Sequence, residues 1–135
     1  MIININKPAG WTSFDVVKKV RGIIKEKKVG HAGTLDPFAE GVLVLGTGPD
    51  TKKLTDITTA NKTYRAELTL GKATDTQDRD GKICAEELVP DLNKDTIAAV
   101  LAIFYVQQDQ IPPMSSAKHV IGQRLYILAP TNIPF

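Results

Sequence analysis

The sequence predicts a mixed α/β fold. Three observations carry this: short apolar stretches of strand length, apolar residues recurring elsewhere at helical spacing, and Gly, Pro and Asp/Asn turn signals separating the two kinds at intervals typical of a compact chain. Ile2, Ile3 and Ile5 make a first strand, closed by Lys7-Pro8-Ala9-Gly10, because proline lacks an amide donor and glycine permits a tight turn. A helix follows: Thr12 or Ser13 can cap it, Asp15 suits its positive first turn, and Val16, Val17, Val20, Ile23 and Ile24 recur on one face. Residues 30–41, with three glycines and Pro37, read as an irregular loop, and 42–45 as a buried strand. Residues 51–59 read as a helix and 63–70 as an alternating strand. Asp80-Gly81 signals a hairpin turn before Ile83. Asn93 or Asp95 can cap a helix through Ile97, Val100, Leu101 and Phe104, which ends before the polar run 107–110 and Pro112-Pro113.

The 135 residues are 42% hydrophobic and 24% charged, enough for one domain that buries roughly two-thirds of its unfolded surface. No internal repeat or low-complexity tract interrupts them. A lone Cys84 cannot form an internal disulfide or a multi-cysteine zinc site, which fits a reducing compartment, and a cytoplasmic location is expected. The longest apolar stretch, 97–106, falls well short of the roughly 20 residues that span a bilayer, so no membrane partner is expected. Net charge is only +2, but its distribution is uneven. Residues 18–28 hold Lys18, Lys19, Arg21, Lys25, Lys27 and Lys28 against Glu26 alone, whereas 75–87 are mainly acidic. That basic helix face is either simply solvated or a phosphate-contacting surface; composition alone does not choose.

The segment Gly30-His31-Ala32-Gly33-Thr34-Leu35-Asp36-Pro37 sets a carboxylate among glycines and beside an imidazole. Pro37 biases Asp36 toward extended backbone, giving the carboxylate the fixed direction that a nucleophile or general base needs. The bland alternative is a turn-forming Asp-Pro with a satisfied loop histidine. Two further patterns fall short of their motifs. Residues 76–87 nearly match a calcium-binding loop but place Thr76 where the first aspartate belongs, and 45–52 resemble a phosphate cradle without the glycine-lysine-threonine spacing.

Taken in order, Asn6-Lys7-Pro8-Ala9-Gly10-Trp11-Thr12-Ser13, then Gly30 to Pro37, Gly41-Val42-Leu43, Lys62-Thr63-Tyr64, Thr74-Asp75-Thr76 with Asp80-Gly81, and Gln110-Ile111-Pro112-Pro113-Met114 followed by Ser116-Ala117, Gly122, Leu125-Tyr126 and Ala129 resemble the TruB-type tRNA pseudouridine synthases. The resemblance implies an α/β (α+β) fold on a mixed, largely antiparallel sheet with flanking helices. It also implies isomerisation of the T-loop uridine, position 55 in tRNA numbering, to pseudouridine, with no cofactor and no metal. Asp36 then acts on the flipped-out nucleotide, Tyr64 lies against the base, and His31 fills space near the opened stack, with Gly30 and Thr34 beside the substrate. Lys18, Lys19, Arg21, Lys118 and Arg124 become candidate contacts to the tRNA T-arm, and residues 107–129 resemble a loop that grips it.

Ala32, Glu40, Ser115 and His119 depart from the family's usual residues, and the resemblance stops at Ala129. The expectation is therefore that residues 1–135 form the N-terminal part of a catalytic domain. The second half, with an arginine partner for the aspartate and a C-terminal RNA-binding domain, is expected to be absent. The rival expectation is a truncated, catalytically inactive tRNA-binding remnant.

Overall fold

The computed structural model describes residues 1–106, 109, 119, 120, 123 and 124. It forms two compact units, Met1–Arg65 and Ala66–Phe135.

In the first unit, β1 (Ile2–Lys7) leads into α1 (Ser13–Ile24), β2 (Val29–Ala32) and β3 (Gly41–Thr47), followed by a 3-10 turn (Gly48–Lys53) and α2 (Leu54–Thr59). The strands pair antiparallel in the order β1-β3-β2. Along β1 the side chains alternate, with Ile3, Ile5 and Lys7 turned inward and Ile2, Asn4 and Asn6 outward. Three valines of α1, Val16, Val17 and Val20, pack on Val29, Leu43 and Leu45, with Ile3, Ile5, Ile24 and Leu35 around them. Valine is a poor helix former, so burial of this face rather than propensity holds α1 together.

Thr12, not Ser13, caps α1. Its hydroxyl accepts from the Asp15 amide (3.0 Å) and donates to Asp15 Oδ2 (2.6 Å), while its own amide donates to the same oxygen (2.9 Å). The Thr12 hydroxyl holds the Asp15 carboxyl below the usual carboxylate range. A depressed carboxylate adds stability above its unfolded value and loses it as pH falls through the folded one. Melting curves of the chain and of Asp15→Asn are therefore expected to differ most near neutrality and to converge in strong acid; a constant difference would remove the cap from the acid response.

Two expectations are corrected here. Residues 30–32, read as the start of an irregular loop, belong to β2 (Val29–Ala32). Gly30 and Gly46 face each other across the ladder, and Leu54 packs where a Cβ would sit, at 3.2 Å from Gly30 and 3.0 Å from Gly46. These glycines let a helix approach a sheet rather than break the chain. Residues 63–70 form no strand: they are exposed and find no ladder partner among the described residues, and an unpaired strand leaves its amides and carbonyls to water.

The second unit holds the antiparallel hairpin β4 (Lys72–Thr74) and β5 (Ile83–Glu86), α3 (Lys94–Ala102) with a 3-10 turn (Ile103–Tyr105), and the short pair β6 (His119–Val120) and β7 (Gln123–Arg124). Asn93 caps α3 by accepting from the Thr96 amide at 2.8 Å. In the hairpin turn, Asp78 Oδ1 accepts from the Thr76 hydroxyl (2.7 Å) and the Asp80 amide (3.0 Å), and Asp75 Oδ1 from the Lys82 amide (2.9 Å). The Thr76 hydroxyl holds the Asp78 carboxyl below the usual range. These carboxylates serve the turn itself. Among the described residues no three His, Cys, Asp or Glu side chains gather as a metal site, and no helix is long and apolar enough to cross a membrane.

Candidate active site

Three chain segments meet at one end of the first sheet: the end of β1, the start of α1, and the loop 33–40 that joins β2 to β3. Asp36 lies on that loop, exposed, and its carboxylate has no hydrogen-bond or ion-pair partner among the described residues. The backbone on either side of it is held. On one side, the Ser13 hydroxyl donates to the Leu35 carbonyl (3.1 Å) and accepts from the Leu35 amide (2.9 Å). On the other, Lys7 Nζ reaches the Pro37 carbonyl (3.3 Å) while also donating to the carbonyls of Pro8 (3.0 Å) and Trp11 (2.6 Å). The Gly10 amide donates to the same Pro37 carbonyl at 2.7 Å, from a φ of +80° that favours glycine. A turn closes from the Asp36 carbonyl to the Ala39 amide at 3.0 Å, with Pro37 at the position a type I or II turn favours.

Lys7 and Ser13 are both buried, at 0% and 2% exposure, and neither stood out as functional in the sequence. A signal for Lys7 was present: the parity of Ile3 and Ile5 carries residue 7 to the buried face. Ser13 gave no such signal, since a hydroxyl beside Thr12 in a first turn reads as a second possible cap.

His31 Nδ1 lies 2.6 Å from the Gly33 carbonyl oxygen. A carbonyl only accepts, so Nδ1 carries the proton, and Nε2 lies outside this bond. Asparagine places an amide nitrogen near Nδ1, whereas glutamine places one near Nε2. His31→Asn is therefore expected to keep the melting temperature within a few degrees of the parent, and His31→Gln to lower it further; equal melting of the two would show that the bond to Gly33 contributes nothing.

Lys62 donates to the carbonyls of Thr58 and Ala60 at the end of α2, and its Cε passes 3.8 Å from where a Gly33 Cβ would stand. The Lys62-Thr63-Tyr64 segment thus starts beside Gly33, at the head of the Asp36 loop, with Tyr64 69% exposed. Thr34 is exposed on the loop; Gly30 is occupied by the packing of Leu54.

Lys18 and Lys19 are exposed on α1. Arg21 is turned back instead: Nη2 donates to the Val29 carbonyl at 2.8 Å, the guanidinium lies 5.7 Å from the Phe14 ring centroid, and Nε is buried without a partner among the described residues. Lys118 lies outside the described residues, as does most of 107–129; Arg124 belongs to β7 in the second unit.

Residues 21–135 match the sequence model of the TruB family pseudouridylate synthase N-terminal domain. The chain is 47% identical over 126 residues to tRNA pseudouridine synthase B of Lactococcus lactis subsp. lactis, covering 93% of this chain and 38% of that protein. It is 50% identical over 127 residues to the protein of the same name from Microcystis aeruginosa, covering 94% and 43%. With that of Ureaplasma urealyticum it shares 47% over 139 residues, covering 99% and 58%. The chain thus spans between about two-fifths and three-fifths of the length of these relatives. Among solved structures, one of an H/ACA RNP bound to a substrate RNA containing 2'-deoxyuridine aligns with 41% of this chain and 17% of its own at 40% identity and a TM-score of 0.40. By the family match and these identities, the chain belongs to the TruB family of pseudouridylate synthases.

Proposed function

We propose that Asp36 is the reacting carboxylate of a tRNA uridine isomerase acting on the T-loop uridine, and that this chain binds the T-arm. The observation that carries the reading is an exposed, unengaged carboxylate on a loop pinned at both neighbouring residues. The sequence relationship to tRNA pseudouridine synthases supports it. In the reaction the bond from the sugar to uracil N1 breaks and a bond from the sugar to C5 forms. N1 takes up a proton and C5 gives one to water. A carboxylate serves as nucleophile or base for these steps, and fixing its backbone in advance removes reorganisation from the barrier.

The target base must leave its stack, at a cost of a few kcal/mol. Tyr64, exposed two residues after Lys62, supplies a ring face for it, and such stacking contributes about 1–3 kcal/mol. His31 stands near the end of β2, just before that loop, with Nε2 outside its bond to Gly33.

The test is tritium release from tRNA labelled at uracil C5. Release by the chain, lost in Asp36→Asn, is the expected result. One observation favours a second reading, tRNA binding without chemistry: no cation pairs with Asp36 among the described residues. That reading predicts salt-sensitive binding with no release, and absence of both overturns the two together.

A further inference from the structure

The solvent face of α1 carries an open groove lined by Trp11, Lys18, Lys19, Gly22 and Ile23, with Asp15 at its edge. Positions 15, 18, 19, 22 and 23 follow helical spacing and share one side of the helix. Gly22 makes the notch in it. Glycine inside a helix is less favourable than alanine, and nothing in the fold asks for it at this position. Its φ is not in the left-handed region, and a Cβ there would meet no atom within 4 Å. What a bare helix backbone facing solvent does permit is close approach from outside.

The walls fit a nucleic acid strand. Trp11 is 40% exposed and Ile23 68% exposed, beside the exposed Lys18 and Lys19. Asp15, the one acid at the edge, has Oδ2 taken by the Thr12 amide and hydroxyl. The first unit as a whole carries eleven Lys and Arg against six Asp and Glu. The end of the groove is tied to the Asp36 turn by hydrogen bonds: the Trp11 carbonyl shares Lys7 Nζ with the Pro37 carbonyl, and the Gly10 amide binds Pro37 directly.

We propose that this groove seats the sugar-phosphate backbone of the RNA whose base reaches Asp36, with Lys18 and Lys19 on phosphates and a ribose against Trp11 in the notch at Gly22. The proposal rests on the RNA reading above. The experiment measures fluorescence anisotropy of a labelled, unmodified tRNA transcript over a salt series.

Lys18→Gln combined with Lys19→Gln is expected to weaken binding about tenfold and to reduce the slope of log affinity against log salt by about 1.5, since each phosphate contact contributes roughly 0.7–0.9. Gly22→Leu puts a good helix former into open space, so its melting temperature should hold or rise while affinity falls about fivefold with the slope unchanged. That opposite movement of stability and affinity is what a plain solvated helix face would not give. Unchanged affinity in folded Gly22→Leu, or an unchanged slope in the double variant, overturns the groove while parental binding leaves the RNA reading standing. No binding by the parent overturns both.

Discussion

Asp36→Asn is expected to abolish uridine isomerisation while leaving the fold intact. The side chain is exposed and accepts nothing among the described residues, and the bond that closes its turn uses the backbone carbonyl, which asparagine retains. Exposed substitutions of this kind shift stability by about 0.5 kcal/mol or less, so melting should move by no more than a few degrees. An amide, by contrast, neither forms the covalent bond of a carboxylate nor takes a proton near neutral pH. Loss of an acid-base or nucleophilic group costs up to about four orders of magnitude, so tritium release should fall to the level of heated protein. Release within tenfold of the parent would move the reacting group elsewhere, and a large drop in melting temperature would make Asp36 a structural residue.

Where the periodicity is strong, most of the pattern is legible. Ile2, Ile3 and Ile5 predict β1, though Ile2 turns outward; the helical recurrence of Val16, Val17, Val20, Ile23 and Ile24 predicts α1, though Ile23 lies on its exposed side; Asp80-Gly81 predicts the hairpin turn; and Asn93 or Asp95 predicts the start of α3, with Asn93 the cap. The failures have a common cause in contacts distant along the chain. Gly30 reads as a chain breaker until Leu54, 24 residues on, is seen to need the space. The stretch 63–70 has strand-like alternation, yet a ladder requires a neighbour that periodicity does not supply. At the site, the local motif pointed to Asp36 and His31 because proline, glycine and imidazole announce themselves in one run of residues. The two groups that fix the loop, Lys7 and Ser13, lie 29 and 23 residues before Asp36, and their roles exist only once β1 and α1 are laid beside it.

Lys7→Met is expected to destabilise the Met1–Arg65 unit and to slow turnover in whatever folds. The ammonium is fully buried and pairs with no carboxylate among the described residues; three carbonyls, of Pro8, Trp11 and Pro37, take its three protons. Methionine preserves the reach and much of the volume of the side chain, so no large cavity opens. What it removes are three charge-assisted bonds, each worth about 1.5–3 kcal/mol, offset in part because an ammonium no longer has to be taken out of water. A net loss of about 3 kcal/mol follows, or a fall in melting temperature on the order of 10 °C. The consequence for chemistry comes through Pro37. With only the Gly10 amide left on its carbonyl, the turn carrying Asp36 samples more orientations, so kcat should fall about tenfold with a smaller change in KM, because the lost contact positions the carboxylate rather than the RNA. Ser13→Ala, which frees the Leu35 side of the same loop, should lower kcat in the same sense with a smaller loss of stability, since its two bonds are neutral. If Lys7→Met melted with the parent and turned over at the parental rate, the buried ammonium would contribute neither to the fold nor to the placement of Asp36.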